Sequence, residues 1–299
     1  MNAAEIRELQ SKQPVNWKKR IAHIIIFTVL TIIGAVFAIP FLWMVIISFD
    51  MTAKVYIPYP PTLYPKEFTF EFYQEAIASL DLVRIYTNTF AVVIGVVVIS
   101  VFCALLAAYA IEKLRFKGHK AVFALCLSTM MIPSEATLIP RFMLFMDLNL
   151  VNNYWAFWLP AVAYTFGIFF AKQFFRGIPD SLREAALIDG AGEFRIFLQV
   201  VVPLCGAMVA TLVILQFLGQ WNDFLWPLII LQTSDKYTIQ VALSVYKSTI
   251  SPAGTTGGTA LYPAKTMAAT MLSVLPVLIM YLFMQRFILQ SVATAGIKQ

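Results

Sequence analysis

Few side chains in this 299-residue chain could act chemically on a substrate. Its two histidines, His23 and His119, lie in separate regions, and no nucleophile, base and acid stand together in a catalytic spacing. Cys103, Cys126 and Cys205 sit inside apolar runs without metal-ligand spacing, so they read as small packing residues, and no disulfide follows. Gly254 to Thr259 is glycine-rich but lacks the Gly-Lys-Ser/Thr ending of a phosphate loop. The expectation is a chain with no catalytic residue, no metal and no bound cofactor. What remains is recognition and coupling. Glu135 is an acid deep in an apolar run, and Trp221-Asn222-Asp223 sets an aromatic face beside an amide and a carboxylate.

The segment from Glu184 to Pro203 is polar and lies between two long apolar runs. Ser181-Leu-Arg-Glu184 has the Ser-x-x-Glu form of a capping box, in which hydroxyl and carboxylate satisfy free amides at a helix start. Asp180 and Glu184 put negative charge where the helix dipole favours it. Asp189-Gly190 supplies a turn, and a second helical run begins near Glu193. The pattern predicts helix, tight turn, helix: a compact knob between two spans, with a docking partner as its purpose.

The elements that must position these residues are membrane helices. Hydrophobic residues make up 60% of the chain, charged residues 13%, and the mean hydropathy is +0.77, against about 25% charged in soluble domains. A helix needs about 20 apolar residues to cross a bilayer. Six spans are expected: Ile21–Phe49, Ile85–Ile111, about Ala121–Phe145 (interrupted by Pro133, Glu135 and Pro140), one within Leu148–Ala171, one within Ile196–Asn222, and Thr266–Gln285. The first is too long for a signal-peptide core. With the N-terminus inside, Lys and Arg number five before span one, four between spans two and three, four between four and five, and two after Thr266. That places fifteen inside and seven outside. Both termini and the knob are then cytoplasmic, and the net charge of +6 reflects this asymmetry rather than nucleic-acid binding. Two external segments are long: Asp50–Arg84, whose four prolines suit an irregular loop, and Gln232–Lys265. Asn88 reads as a cap opening span two, and Arg141 as an outer-surface arginine free to snorkel.

Several stretches resemble one family. Glu184, Ala185, Ala186, Gly190, Val200, Val202 and Pro203 match the spacing of the "EAA loop" of membrane permeases in ABC importers, with Val at the two positions where the family has Ile and Leu. Gln220-Trp-Asn-Asp-Phe-Leu-Trp-Pro-Leu228 resembles the W-N-[DE]-F-x-W-P-L stretch of carbohydrate-type permeases, and Thr294-Ala-Gly-Ile-Lys298 resembles the tail of the shorter maltose-type permease. The resemblance covers most of the chain. It implies an all-α type I permease fold in a bacterial or archaeal cytoplasmic (inner) membrane. On that fold, residues 1–20 form a cytoplasmic lead-in, 21–290 a six-span domain with its docking loop at about 177–203, and 291–299 a cytoplasmic tail.

The resemblance further implies a heterodimer with a second permease, two cytoplasmic ATPase subunits that bind ATP and Mg, and an extracytoplasmic solute-binding protein. Glu184, Ala185, Ala186, Asp189, Gly190 and Pro203 would then dock the ATPase. Gly254, Gly257 and Gly258 would lie in a loop that probes the binding protein and favours sugar release, or in an ordinary connection. Sugars are bound by aromatic faces with amide and carboxylate hydrogen bonds, so Trp221, Asn222 and Asp223 either line the sugar path or anchor the outer end of span five. Glu135 faces the path, or an ion pair or partner interface. The alternatives are an ABC permease for amino acids or peptides, against which the Trp221–Leu228 stretch argues, and an ATP-independent transporter. The latter should show repeat symmetry and intramembrane ion ligands, and the sequence shows no repeat.

Overall fold

The computed structural model describes residues 17–250 and 262–296. Among them the chain is helical, with one isolated bridge, Asp50 to Phe68, in place of a sheet. The first helix, α1 (Trp17–Ser48), is exposed along its apolar length and packs only at its far end, where Ile47 is buried. Such a surface requires hydrocarbon or protein around it. The chain then turns at Asp50, whose buried carboxylate accepts from the Thr52 amide (3.0 Å), the Thr52 hydroxyl (2.8 Å) and the Lys66 amide (3.2 Å). This order, and the short helix α2 (Glu71–Ser79), replace the irregular loop expected from the prolines.

Helix α3 (Leu82–Leu114) is the centre of the molecule. It starts at Asp81, whose carboxylate accepts from the Arg84 amide at 3.2 Å. Asn88 is therefore two turns inside the helix and caps nothing. Its Nδ2 donates to the carbonyls of Asp235 (2.7 Å) and Tyr237 (3.2 Å), and the adjacent Thr89 hydroxyl accepts from the Ile239 amide (2.9 Å). Together they fix the start of a helix, α12 (Ile239–Ile250), within the long outer segment Gln232–Lys265. Its Ile239, Val241, Ala242, Leu243 and Tyr246 are buried against α3 and the last helix.

The expected third span is two helices, α4 (His119–Thr129) and α5 (Leu138–Asp147), joined by the turn Ser134–Thr137 and bent by 93°. Pro133 denies that turn an amide donor. The fourth is not one helix of span length but α6 (Trp155–Ala161) and α7 (Thr165–Arg176). After α8 (Asp180–Ile188), the expected fifth span is bent by 84° between α9 (Glu193–Leu204) and α10 (Gly206–Trp221). Three features known to break helices coincide there: a widened turn at Phe197–Val201, Pro203 and Gly206. A short α11 (Leu225–Ile230) follows, and α13 (Pro263–Gly296) ends the described chain, so most of the tail from Ser291 continues this helix.

Among the described residues, three helices are long and apolar enough to cross a membrane, or up to five if each bent pair is one span. The core gathers on α3, where α7, α10 and α6 pack. Gly95 permits the approach of α6, since a Cβ there would run into the Trp158 ring.

Candidate functional site

The knob is built from α8, the turn after it and α9. Pro179, in extended backbone, precedes α8, and Ser181 makes no capping bond, so the expected capping box does not form. Asp180 instead turns back to the end of α3. Its Oδ1 accepts from the Lys113 ammonium at 2.6 Å, and its Oδ2 lies 3.3 Å from Arg115 Nη2. Lys113 also donates to the Ile178 carbonyl at 2.6 Å, and its side chain is only 3% exposed. This geometry depends on how α3 ends, in a widened turn at Ala110–Leu114 followed by left-handed backbone at Arg115 (φ 48°). The Lys113 hydrogen bond holds the Asp180 carboxyl below the usual carboxylate range, against an upward push from burial, and the charges of Lys113, Arg115 and Arg183 add to the lowering.

A second tie joins α9. Glu193 Oε2 accepts from the Tyr109 hydroxyl (2.6 Å) and from Arg183 Nε (3.1 Å), and Arg183 Nη2 pairs with Oε1. Side chains from α3, α8 and α9 thus meet at one carboxylate. Between the two helices, the Ala191 amide bonds the Ala186 carbonyl and the Gly190 amide bonds that of Leu187, both at 3.0 Å. This is a Schellman ending with Gly190 in left-handed backbone, φ 78°. Glycine is there for its conformation, since a Cβ would meet open space.

With α8 held from behind, its other face is free. Glu184, Ala185, Asp189 and Gly190 are exposed, together with Ile188, an apolar side chain at 86% exposure. Ala186 is half-buried against the core, and Pro203 is exposed at the bend between α9 and α10 rather than at the turn. The expected docking residues therefore divide into an exposed group around α8, one support (Ala186) and one bend residue (Pro203).

The outer signature is arranged differently. Trp221 is 1% exposed, stacks on Phe217 (5.5 Å, 14°), and donates its indole N–H to the Ser273 carbonyl at 3.2 Å. Trp226 is buried too and donates to the Ala156 carbonyl at 3.2 Å. Arg141 lies over its ring at 3.8 Å, half-buried instead of snorkelling. Asp223 is half-buried, 3.5 Å from the Gln220 amide, while Asn222 is exposed and bonds the Leu218 carbonyl. Glu135 stands exposed in the turn between α4 and α5, accepting from Ser134 at 3.0 Å. Gly254, Gly257 and Gly258 lie outside the described residues.

Sequence reading missed Tyr109, Lys113 and Arg183. Lys113 was counted among the inside cations and Glu193 noted only as a helix start. The available signal was a lysine two residues past the end of the apolar run Ile85–Ile111, where burial demands a counter-charge.

These features define an integral membrane protein with a protruding helix–turn–helix knob. Residues 100–293 match the family model described as binding-protein-dependent transport system inner membrane component, and the chain belongs to that family. The arabinooligosaccharides transport system permease protein of Halalkalibacterium halodurans is 34% identical over 213 residues, covering 71% of this chain and 73% of that protein. The lactose transport system permease protein of Rhizobium radiobacter is 30% identical over 276 residues, covering 91% and 96%. In fold the chain is similar to a chain of a bacterial ABC transporter involved in import of the acidic polysaccharide alginate, with a TM-score of 0.78, 23% identity, and 93% and 100% of the two chains covered.

Proposed function

We propose that the chain is a membrane-spanning permease subunit of an ATP-driven carbohydrate importer, forming half of a translocation path and taking its drive from a separate ATPase through α8. The observation that carries this reading is the exposed face of α8, held rigidly from behind by Lys113, Tyr109 and Arg183. A knob tied to α3 at two points transmits displacement to the core instead of deforming. The carbohydrate class is supported by the relatives that transport arabinooligosaccharides and lactose. The proposed assembly is a second permease, two cytoplasmic ATPases carrying ATP and Mg, and an extracytoplasmic binding protein. Six spans with both termini inside complete the proposal. Within the path, Asn222, Asp223 and the exposed Glu135 are the proposed polar contacts, with Trp221 supporting them from the core.

Ala185→Trp provides the test. Ala185 is exposed, so a large ring fits on this chain alone but blocks a helix from seating in a cleft. The expected result is an assembled permease pair with wild-type melting temperature that neither retains the ATPase nor transports. Normal sugar-stimulated ATP hydrolysis in that variant would overturn the docking reading.

A further inference from the structure

A cavity of about 550 Å³ opens where the ends of α3 and α7 meet the start of α4. Glu112, Arg115, His119, Lys120, Lys172 and Arg176 line it, four full cations against one carboxylate. That carboxylate is already matched, since Glu112 pairs with Lys172 at 2.8 Å with both side chains largely buried. Arg115 is engaged by Asp180. Lys120 and Arg176 form no ion pair among the described residues. The cavity therefore holds uncompensated positive charge, concentrated at a concave site rather than spread along a loop.

We propose that this cavity binds a phosphate group, supplied by the headgroup of an anionic lipid or by a soluble phosphate ester. A phosphate offers several strong acceptor oxygens to the free ammonium and guanidinium groups, and Arg176 can meet two of them at once. The place suits a lipid. Three helix ends meet here, the long apolar α3 among them, and basic pockets between membrane helices hold anionic headgroups. Ile111 and Phe123 add an apolar wall to the cavity beside its charges. Phe123 closes the wall, stacked on Phe169 (6.5 Å, 12°) and lying 4.5 Å beneath the Lys172 ammonium. Arg115 links the cavity to the docking knob, because an anion bound here competes with Asp180 for its guanidinium. The inference concerns charge and shape alone and does not depend on which solute the transporter carries.

The test uses the assembled transporter in detergent, titrated with dioleoylphosphatidylglycerol or dioleoylphosphatidylcholine and read by native mass spectrometry, with millimolar inorganic phosphate as competitor. The site is removed by combining Lys120→Gln with Arg176→Gln, both exposed side chains, and a thermal melt checks that the fold survives. Lys117→Gln, just before α4 but outside the cavity lining, is the control. The expected result is preferential retention of phosphatidylglycerol, weakened roughly 30-fold by the double variant and much less by the control. Displacement by inorganic phosphate identifies a soluble phosphate ester as a competent ligand. Resistance to it assigns the site to the lipid headgroup. Equal loss per charge in Lys117→Gln, or no lipid and no phosphate bound in preference by the wild-type complex, overturns the proposal.

Discussion

At α8 the recognisable residues face out. Glu184, Ala185 and Gly190 are exposed, and side chains from elsewhere (Lys113, Tyr109, Glu193) hold the element in place through its own Asp180 and Arg183. At Trp221–Leu228 the recognisable residues face in. Trp221 and Trp226 are buried, with their indole N–H groups satisfied by carbonyls of the same chain. A motif whose residues contribute little to their own fold points to a partner, whereas one whose residues fill the core specifies the shape of the permease. The two signatures are equally legible in sequence and differ in what their loss should do.

The largest effect should come from the inward-facing motif. Trp221→Ala removes a fully buried indole stacked on Phe217, together with its hydrogen bond to the Ser273 carbonyl. It should cost about 3–5 kcal/mol and sharply reduce the assembled complex. Trp221→Phe should recover much of that. A Trp221→Ala complex with wild-type melting temperature but altered sugar selectivity would break the comparison, since the ring would then serve the path and not the core.

Gly190→Val should act next. Left-handed backbone at φ 78° admits a β-branched residue only with strain of about 1–3 kcal/mol, although a side chain there meets no neighbour. The Schellman bonds to Ala186 and Leu187 would loosen and α8 would turn against α9. Transport should fall further than the melting temperature does. Equal losses in both would mean the turn is structural only.

How much was legible follows the same division. Apolar runs revealed the membrane class and most helix positions, because bilayer burial writes itself as uninterrupted hydrophobicity. Local turn chemistry at Gly190 was legible too. The capping box was not, because Pro179 takes the cap position and pushes Ser181 into the helix. The bends of 93° and 84° exceeded what the prolines in sequence suggested. Asn88 looked like a cap because its carbonyl partners, Asp235 and Tyr237, are about 150 residues away in sequence. Separations of 67 and 84 residues likewise hid the ties from Lys113 to Asp180 and from Tyr109 to Glu193. Pairings set by tertiary approach leave no periodic trace.

Asp180→Asn should cost about 1 kcal/mol at neutral pH, modest for a charged hydrogen bond because the carboxylate is 46% exposed. Its pH dependence has a fixed sign. The folded carboxyl titrates below its unfolded value, so its contribution is fully present above about pH 4 and is lost as pH falls through the lower folded value. Melting temperatures of wild type and variant should therefore converge in acid. A gap that persists there would mean that the Lys113 contact does not depend on charge.

The smallest effect separates the two faces of α8 itself. Ser181 is exposed and makes no capping bond, so Ser181→Ala should change stability by less than about 0.5 kcal/mol, where loss of a true cap costs about 1. Glu184→Ala should be equally silent in a melt, because Glu184 is exposed and forms no ion pair among the described residues. The two variants should part only in the assembled transporter. Glu184→Ala should lower sugar-stimulated ATP hydrolysis, while Ser181→Ala leaves it unchanged. If Ser181→Ala instead costs a full cap's stability, the capping box forms in solution and Asp180 is not anchored to Lys113. If neither variant touches hydrolysis, the partner does not read the Glu184 side of α8, and the contact must centre on Ile188, the most exposed apolar side chain of that helix.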